Sequence, residues 1–463
     1  MYQLRPYQKQ ASEAGCDLAT SKKQKNGLIV LPTATGKSLV VADIINETRK
    51  KTIVLQPTKE ILEQNESKIR MTGLTDIGIF SASMGQKIKG QVTIATIGTI
   101  IKHKEAFQDC ELLIVDEAHT VDSKGGQYED FISSLDIPTI GLTATPFRMK
   151  YYMNSFGNGE PVVESRFLTR TRPRIFDTIA HITQVPDMFE QGYLCPIEYD
   201  YKNDYDSKKI KSNSTGQGYD DEALEQYNIQ QEIVKKIIEE VRKSDAGHIL
   251  IFTHFKSESK SVIEGLSKYN IQCEEVSGDT KREDRERILS QFKSGIIRCV
   301  VNVGVLTVGF DFPELDHIII GRPTKSLMLI YQICGRGLRP AIGKKHCKLT
   351  DLCDNIKRFG EINSFVIEDI NGNGLWRLKS NIGYLTGVNL LTGKDLEARN
   401  TTTKKEKDQV KTGDIVIPFG KYKDNKLKEI DDDYLKWASN NFDSGKWKTI
   451  FNNELKRRAG NAN

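Results

Sequence analysis

The segment at residues 31–40, LPTATGKSLV, is the feature that most constrains how this chain can fold. An apolar run precedes it at residues 27–30, and a helix-like run follows it at residues 39–45. A strand, a loop ending in Gly-Lys-Ser and a helix form a phosphate-binding loop, although this chain keeps only the second glycine of the full pattern. The segment therefore predicts an α/β fold with a nucleotide site at the start of a helix.

The residue types of this loop suit phosphate chemistry. Backbone N–H groups at a helix start lack partners and bind phosphate oxygens, and Gly36 lets the backbone approach them closely. Lys37 supplies a positive charge to the β- and γ-phosphates, and the Ser38 hydroxyl can ligate Mg²⁺. We therefore expect ATP and Mg²⁺ as cofactors. The expected loop contacts are Thr33, Ala34, Thr35, Gly36, Lys37 and Ser38.

A helix-like segment with the sequence LRPYQ lies just upstream, at residues 4–8. The amide of Gln8 can donate and accept a hydrogen bond at once, which suits the edge of an adenine base. We expect Arg5 and Gln8 to belong to the nucleotide site.

Two adjacent carboxylates follow an apolar run at residues 112–115. The run predicts a strand whose tip presents Asp116 and Glu117. Asp116 is expected to hold Mg²⁺, directly or through water, and Glu117 to orient and deprotonate the attacking water.

Three other strand ends in the first half carry polar residues, at 52–59, 92–99 and 139–147. Open α/β sheets bind ligands at the carboxyl ends of their strands, and polar groups there can hold a nucleic-acid backbone without reading its sequence. The last segment, TATP, can also bridge the nucleotide site to a neighbouring lobe. The expected nucleic-acid contacts are Gln56, Pro57, Thr58, Lys59, Thr96, Thr99, Thr143 and Thr145.

The second half repeats the strand–helix pattern without a second phosphate loop. Its strand tips and turns add His254, Phe255, Ser277, Gly278 and Asn302 to the expected nucleic-acid contacts. Between the halves, residues 166–174 hold four arginines, and the charge alone predicts phosphate-backbone contacts for Arg170, Arg172 and Arg174.

Two motifs of the second half point back to the nucleotide. In the segment GFDFP, Gly309 permits tight packing against the nucleotide and Asp311 can accept hydrogen bonds from ribose hydroxyls. In QICGRGLR, Arg336 and Arg339 lie three residues apart on one helix face, with Gln332 beside them. We expect the two arginines to neutralise charge on the transferring γ-phosphoryl group.

In this order, the GKS, QPT, DEAH, TATP and QxxGRGxR segments resemble those of superfamily 2 DExH helicases. The likeness covers about residues 1–360, and residues 301–311, 321–326 and 351–360 resemble RadD-like and phage UvsW-type branch-migration helicases. The resemblance implies two tandem RecA-like parallel-sheet lobes with an ATP cleft between them, and DNA-stimulated ATP hydrolysis. The chain departs from many relatives at Val303, where they carry threonine; the adjacent Asn302 is the expected substitute.

The predicted organisation has five parts. They are an ATP-binding lobe at 1–149, a basic inter-lobe connection at 150–196, a second lobe with the arginine fingers at 197–360, an extension and linker at 361–412, and a small C-terminal module at 413–463. The module resembles the small tail domain of exonuclease X-like proteins. Its basic and aromatic residues, around Tyr422, suggest binding of DNA or of replication and recombination proteins.

Composition limits the remaining classes. There is no apolar run of about 18 residues, which argues against a membrane span. Eight scattered cysteines without a C-x-x-C pair suit a reducing cytoplasm, that of a host cell if the protein is viral, and argue against a zinc site such as the RadD tail. A net charge of +5 is compatible with a nucleic-acid partner.

These features predict an ATP-dependent DNA helicase or translocase that remodels single-stranded, forked or branched DNA in recombination, repair or replication. One alternative is an RNA helicase, although the last motif lacks the His-Arg-x-Gly-Arg form of DEAD-box proteins. A second is a duplex-tracking motor subunit of a restriction or nuclease complex, and a third is a non-catalytic clamp gated by nucleotide. The intact Lys37, Glu117 and Arg336 argue against the clamp.

Overall fold

A computed structural model gives the architecture of the chain. The residues it describes are 3–21, 26–122, 125–153, 161–201, 204–305, 311–396, 417, 421–422, 425–441, 450–451, 454–455 and 458. The chain divides into two compact units, Met1–Gly393 and Lys394–Asn463.

The strands alternate with helices along the first unit. In chain order, the strands are β1 (Gly27–Val30), β2 (Thr52–Gln56), β3 (Ile77–Ser81), β4 (Gln86–Lys87), β5 (Val92–Thr96), β6 (Leu112–Asp116), β7 (Thr139–Thr143), β8 (Phe147–Met153), β9 (Pro161–Phe167), β10 (Thr178–Ile182), β11 (Ile197–Asp200), β12 (Ile249–Thr253), β13 (Cys273–Ser277), β14 (Cys299–Val303), β15 (His317–Gly321), β16 (Cys347–Asp351), β17 (Val366–Asp369), β18 (Trp376–Ser380) and β19 (Gly383–Tyr384).

The α-helices are α1 (Pro6–Thr20), α2 (Lys37–Thr48), α3 (Lys59–Arg70), α4 (Ile97–Ile100), α5 (Gln127–Leu135), α6 (Val185–Glu190), α7 (Asp221–Gln230), α8 (Ile233–Lys243), α9 (Lys256–Ser267), α10 (Arg282–Lys293), α11 (Leu327–Cys334), α12 (Asn355–Phe359) and α13 (Asp432–Asn441). Short 3₁₀ turns lie at Ala82–Met84, Ile101–Phe107, Ala118–Thr120, Leu168–Arg170, Ser207–Lys209, Ile362–Ser364 and Leu427–Glu429.

The described strands of the first lobe form one sheet in the order β10-β1-β7-β6-β2-β5-β3-β4, parallel except for the β3–β4 pair. The central strands are buried on both faces, as four- and five-residue apolar runs such as Leu112–Asp116 predict for a parallel sheet covered by helices. The second lobe holds a parallel sheet in the order β11-β16-β15-β12-β14-β13. The predicted α/β fold with two tandem parallel-sheet lobes is confirmed.

Parallel pairing places the carboxyl ends of the strands at one edge of each sheet. The register aligns Gln56 with Thr96 and Asp116 with Leu142, so the polar strand ends of the first lobe share an edge. The helices that follow begin at the same edge. Thr58 caps α3 by accepting a hydrogen bond from the N–H of Ile61, and the acidic Glu60 in its first turn complements the helix dipole.

The segment between the lobes differs from its prediction. From the sequence alone, residues 179–192 form a candidate short amphipathic helix. In the structure, β10 occupies Thr178–Ile182 and pairs in parallel with β1, and only Val185–Glu190 is helical. Residues 147–153 and 161–167 form the antiparallel β8–β9 pair, and residues 154–160 lie outside the described part of the chain. The first sheet therefore extends into the predicted connection, because pairing with a distant strand overrides local helical periodicity.

The residues after the second lobe return to the first. Strands β17–β19 form an antiparallel sheet, where residues 361–412 were predicted to be an extension and linker. The side-chain amide of Gln184 donates to the Ile367 carbonyl (2.7 Å) and accepts from the Ile367 N–H (3.1 Å). Asn389 likewise binds the backbone of Val163 and Pro161. The segment therefore joins both lobes within one unit, and residues 397–412 lie outside the described part.

The C-terminal unit has a small apolar core of its own. Its described core residues are Ile417, Leu427, Ile430, Leu435, Ala438 and Phe451. Tyr422, Tyr434 and Trp437 form an aromatic row on this unit, with ring centroids 4.7 and 5.5 Å apart, and Trp437 is 53% exposed.

Two findings concern the chemical environment. All eight cysteines are described, and each is a free thiol. Across the described residues, each helix is too short or too polar to cross a bilayer.

Candidate ATP site and nucleic-acid interface

The phosphate loop connects β1 to α2 and lines a cavity of about 330 Å³ between the two lobes. Gly36 has φ +79°, in the left-handed region, and leads directly into the start of α2. Thr35 stabilises the turn by donating from its hydroxyl to the Pro32 carbonyl (2.6 Å). All six predicted loop residues line the cavity, with the free N–H groups of the α2 start at its wall.

Gly36→Ala is expected to lower the free energy of unfolding by about 1–2 kcal/mol, since an alanine must adopt a left-handed conformation. A Cβ there would also lie 2.7 Å from Gln8 Nε2, so the loop must shift and nucleotide binding should weaken. Denaturant unfolding and titration with a fluorescent ATP analogue measure the two effects. Gly85→Ala is the matched control, because Gly85 has φ +68° with no atom near the added Cβ. Equal analogue binding by both variants would contradict the expected shift of the loop.

Asp116 and Glu117 stand at the end of β6, facing the same cavity. Glu117 has φ +47°, which costs free energy in a residue with a side chain and is common at functional sites. Its Oε1 accepts from Lys37 Nζ at 2.8 Å and its Oε2 lies 3.3 Å from His119 Nδ1. Burial raises the pKa of Glu117, but Lys37 and His119 outweigh it and hold that pKa below its usual range. Glu117 is therefore ionised, as a general base must be.

Ser38 and Asp116 converge on one side chain, that of Asn65. Ser38 Oγ donates to Asn65 Oδ1 (2.5 Å), and Asn65 Nδ2 donates to Asp116 Oδ2 (2.9 Å). A hydroxyl and a carboxylate so close together fit the oxygen ligands that Mg²⁺ prefers. The described residues hold no group of three metal-ligating side chains, so phosphate and water oxygens would complete the shell. Burial and the adjacent Glu117 raise the pKa of Asp116, a repulsion that a cation would relieve.

Arg336 and Arg339 follow α11 and line the opposite wall of the cavity. Arg336 is buried, and burial together with Arg339 lowers its pKa to about 9. Burial also lowers the pKa of Arg339, whose Nε lies 2.6 Å from Asp311 Oδ1. Two desolvated like charges facing a phosphate loop favour an anion between them and the loop.

A hydrogen-bonded chain joins the lobes beside these arginines. Gln332 Nε2 lies 3.4 Å from His119 Nε2, and His119 Nδ1 contacts Thr143 Oγ1 and Thr145 Oγ1 at 3.1 and 3.2 Å. Because the Gln332 amide nitrogen can only donate, the network assigns the His119 proton to Nδ1. Glu117, His119 and Gln332 thus form a continuous contact from the first lobe to the second.

The predicted adenine contact of Gln8 needs correction. Its Nε2 donates to the Thr35 carbonyl (2.8 Å) and its Oε1 accepts from the Arg5 N–H (2.9 Å), so protein backbone occupies both ends of the amide. Gln8 is buried behind the phosphate loop, and Arg5 stacks on the Tyr193 ring at 4.7 Å. Gln8 and Arg5 therefore support the loop from behind rather than line the cavity.

The two remaining nucleotide residues have different outcomes. Asp311, the expected ribose contact, lines the cavity. Its carboxylate pairs with Arg339, and its Oδ2 lies 3.8 Å from Lys68 Nζ. Gly309 lies outside the described residues.

The predicted nucleic-acid residues fall into two groups by exposure. Exposed or partly exposed, and therefore available to a ligand, are Pro57, Thr58, Lys59, Thr96, His254, Phe255, Gly278, Arg170, Arg172 and Arg174. Buried are Gln56, Thr99, Thr143, Thr145, Ser277 and Asn302.

The buried group corrects the prediction. Thr143 and Thr145 are buried against His119, which contacts both Glu117 and Gln332, so their hydroxyls face the interface between the lobes. Gln56 accepts from Asn65, and Thr99 accepts from the Ala82 N–H. Ser277 and Asn302 are also buried, and Asn302 Oδ1 accepts from the Val305 N–H. A polar residue at a strand end turns inward when a neighbouring element offers it a partner.

The basic segment runs along the first lobe rather than through the cleft. Leu168 donates its N–H to the Pro146 carbonyl near the carboxyl end of β7, whereas Asp177 donates to Asn26 before β1. The chain therefore passes from one edge of the first sheet to the other. The Arg174 end of the segment lies beside the turn between β17 and β18. Only the Arg170 end of the segment lies near the edge that carries the ATP site.

Three site residues were missed: Asn65, Lys68 and His119. Asn65 carried a detectable signal, because it interrupts the apolar face of α3 formed by Ile61, Leu62 and Ile69. A polar residue in such a face indicates a buried partner. His119 ends the DEAH segment, but apart from Glu117 its partners come from distant segments, at Thr143, Thr145 and Gln332. Lys68 likewise meets Asp311 of the second lobe, and no local pattern indicates that contact.

Two family models match the chain. One, described as type III restriction enzyme, res subunit, covers residues 1–148, and the other, described as helicase conserved C-terminal domain, covers residues 230–341. They fall on the lobes that carry the phosphate loop and the paired arginines, respectively.

Several known proteins are similar to the chain. IRC3 of Saccharomyces cerevisiae, named as an ATP-dependent helicase, is 25% identical over 75% of this chain and 51% of IRC3. The ATP-dependent DNA helicase UvsW of enterobacteria phage T4 is 24% identical over 71% of this chain and 65% of UvsW. A fragment structure titled as an HsdR subunit of a type I restriction enzyme from Vibrio vulnificus has a TM-score of 0.58 at 17% identity, over 81% of this chain and 67% of that chain. The chain thus spans about half to two thirds of these curated relatives, and the structural likeness shows the shared fold.

Proposed function

We propose that the chain is an ATP-dependent DNA helicase or translocase of superfamily 2 that unwinds or branch-migrates forked and branched DNA, an interpretation that the two matching family models support. One observation carries the proposal. A single cleft brings Lys37, Ser38, Asp116 and Glu117 of the first lobe against Arg336 and Arg339 of the second. This is the set of charges that phosphoryl transfer from ATP requires.

The cleft residues have separable tasks in this mechanism. The N–H groups at the start of α2 and the Lys37 ammonium bind the phosphates. To do so, Lys37 must leave its ion pair with Glu117 and pair with the phosphate oxygens instead. Glu117 then takes a proton from the attacking water. Ser38 and Asp116 would hold Mg²⁺, which neutralises charge on the phosphate oxygens.

The arginines connect this chemistry to movement. A bound γ-phosphate attracts Arg336 and draws Arg339 from Asp311, so that the second lobe is held against the first. Loss of that phosphate removes the attraction, and the lobes change their relative position. The contacts from Glu117 through His119 to Gln332 link the position of Glu117 beside the nucleotide to the second lobe.

DNA is the proposed track. The exposed strand-end residues of both lobes, Thr58, Lys59, His254 and Gly278 among them, offer hydroxyl, ammonium and backbone groups suited to a sugar-phosphate backbone. The similarity to UvsW, which is named as a DNA helicase, favours DNA over RNA. The resemblance of residues 301–311, 321–326 and 351–360 to branch-migration helicases favours a forked or branched form of it.

The C-terminal unit is proposed to recruit DNA or a recombination or replication protein, in keeping with its resemblance to the exonuclease X-like tail. Lys421, Lys426 and Lys428 are exposed on this unit, and Lys421 lies 5.2 Å from the Tyr422 ring. Aromatic rings beside lysines suit stacking with bases and contact with phosphates.

A second candidate is the motor subunit of a restriction complex, which tracks along duplex DNA without separating its strands. The match of the first lobe to a restriction-enzyme res subunit favours it.

The test is ATP turnover with no nucleic acid, single-stranded DNA, duplex DNA, a forked DNA, a four-way junction and RNA of equal length, with Lys37→Ala as the blank. We expect the fork or the junction to stimulate turnover most, and strand-displacement assays on the same substrates to show product. If RNA matches DNA, the substrate assignment is wrong. Strong stimulation by duplex DNA, with movement along it but no displaced strand, would favour the restriction motor.

A further inference from the structure

Asn65 lies at a junction of three segments that the proposed function uses separately. It sits on α3 and is 7% exposed. Its carboxamide contacts Ser38 from the start of α2, Gln56 from the end of β2 and Asp116 from the end of β6, at 2.5, 3.1 and 2.9 Å. One side chain thus reaches both proposed metal ligands and the strand end that leads into the proposed DNA segment.

The hydrogen-bonding chemistry fixes how this amide is oriented. An ionised Asp116 can only accept, so the nitrogen of Asn65 must face it and the oxygen must face the Ser38 hydroxyl. The second N–H then meets Gln56 Oε1. Each polar atom of the Asn65 amide therefore has a hydrogen-bond partner. Neither leucine nor aspartate, which are of similar size, can form this set of hydrogen bonds.

Helix α3 connects Asn65 rigidly to the proposed DNA-binding residues at its start. Its first residues, with the cap Thr58 and the partly exposed Lys59, are proposed to hold the DNA backbone. Asn65 follows six residues later on the same helix, which moves as a rigid rod over this length. A shift of the helix start therefore displaces the amide that holds Ser38 and Asp116.

We propose that Asn65 is a positioning residue that couples the DNA-binding end of β2 and α3 to the Mg²⁺ ligands Ser38 and Asp116. The proposal rests on the proposed function for its DNA half and on the cleft geometry alone for its metal half. DNA bound at Thr58 and Lys59 fixes α3, and Asn65 then presents the hydroxyl of Ser38 and the carboxylate of Asp116 to the metal in one geometry. Binding of DNA would in this way promote Mg²⁺ binding and ATP hydrolysis in the cleft.

The test compares Asn65→Leu and Asn65→Ala with Ser67→Ala, a change at an exposed position of the same helix. Binding of a fluorescent ATP analogue is titrated across Mg²⁺ concentrations, and the DNA stimulation of turnover is measured separately. We expect both Asn65 variants to need about tenfold more Mg²⁺ for half-maximal binding, as the loss of one or two hydrogen bonds predicts, and to lose most of the DNA stimulation. Analogue binding without Mg²⁺ should stay near that of the wild type.

The outcomes separate this proposal from its premise. If both Asn65 variants have lower melting temperatures but the wild-type Mg²⁺ dependence and DNA stimulation, Asn65 only packs α3 and the proposal is wrong. Asn65→Ala removes the amide without adding bulk or charge, so it decides the result if Asn65→Leu does not fold. If the wild type itself shows no stimulation by any nucleic acid, the proposed function fails, while the Mg²⁺ titration still tests the metal half.

Discussion

Glu117→Gln is expected to reduce ATP turnover by about 10²–10⁴-fold while ATP still binds. Glutamine keeps the shape of the side chain but cannot take a proton from water. The change also removes the ion pair between Glu117 and Lys37, which leaves Lys37 available to the phosphates. Phosphate release measures turnover, and titration with a fluorescent ATP analogue measures binding. The analogue should bind at least as tightly as to the wild type.

The control for this variant is Glu13→Gln, on the exposed face of α1 and far from the cleft, which should turn over at the wild-type rate. Because the backbone of Glu117 is in the left-handed region, Glu117→Gln also retains a similar conformational cost, so a large fall in melting temperature is not expected. Turnover within threefold of the wild type would rule out Glu117 as the general base and reopen the non-catalytic clamp.

Arg336→Ala is expected to reduce turnover by about 10³–10⁵-fold, as the loss of an arginine finger does. The same substitution should leave the melting temperature unchanged or raise it. Burial and the repulsion of Arg339 lower the pKa of Arg336 to about 9 in spite of the attraction of Glu117 and Asp311, so its removal relieves a charge that is unfavourable on balance. Activity and stability should therefore move in opposite directions.

Two further variants sharpen this result. Arg336→Lys keeps the charge but not the planar fork, and we expect it to restore little of the turnover. Lys345→Ala removes an exposed cation from the same lobe and should behave as the wild type. A marked loss of stability in Arg336→Ala, with turnover lowered only in proportion to the unfolded fraction, would show that Arg336 is a structural residue.

Much of the fold could be predicted from local sequence. Apolar runs located β1, β2, β6 and β7. The prediction was wrong at 179–192, because β10 is specified by its pairing with β1. The helical periodicity of residues 225–243 is present in the sequence. In the structure it is divided between α7 and α8, since Glu232 between them has φ +52°.

The sequence by itself determined which chemical groups stand at the ends of the strands. A phosphate loop, a strand tip with two carboxylates and a pair of arginines are local patterns, and each depends only on neighbours along the chain. These patterns also determined that the phosphate loop and the two carboxylates would meet, because parallel strands of one sheet share a carboxyl edge. The arginines belong to the second lobe, and the packing of the two lobes brings them to the cavity.

Only the tertiary structure decided which of those groups face the cavity and which are already bonded. Gln8 supports the phosphate loop, Thr143 and Thr145 bind His119, and Asn65 joins Ser38 to Asp116. The physical reason is that a polar side chain near a strand end can form several hydrogen bonds of similar free energy. The partner it takes is set by segments far away in the chain, whose packing brings them within reach.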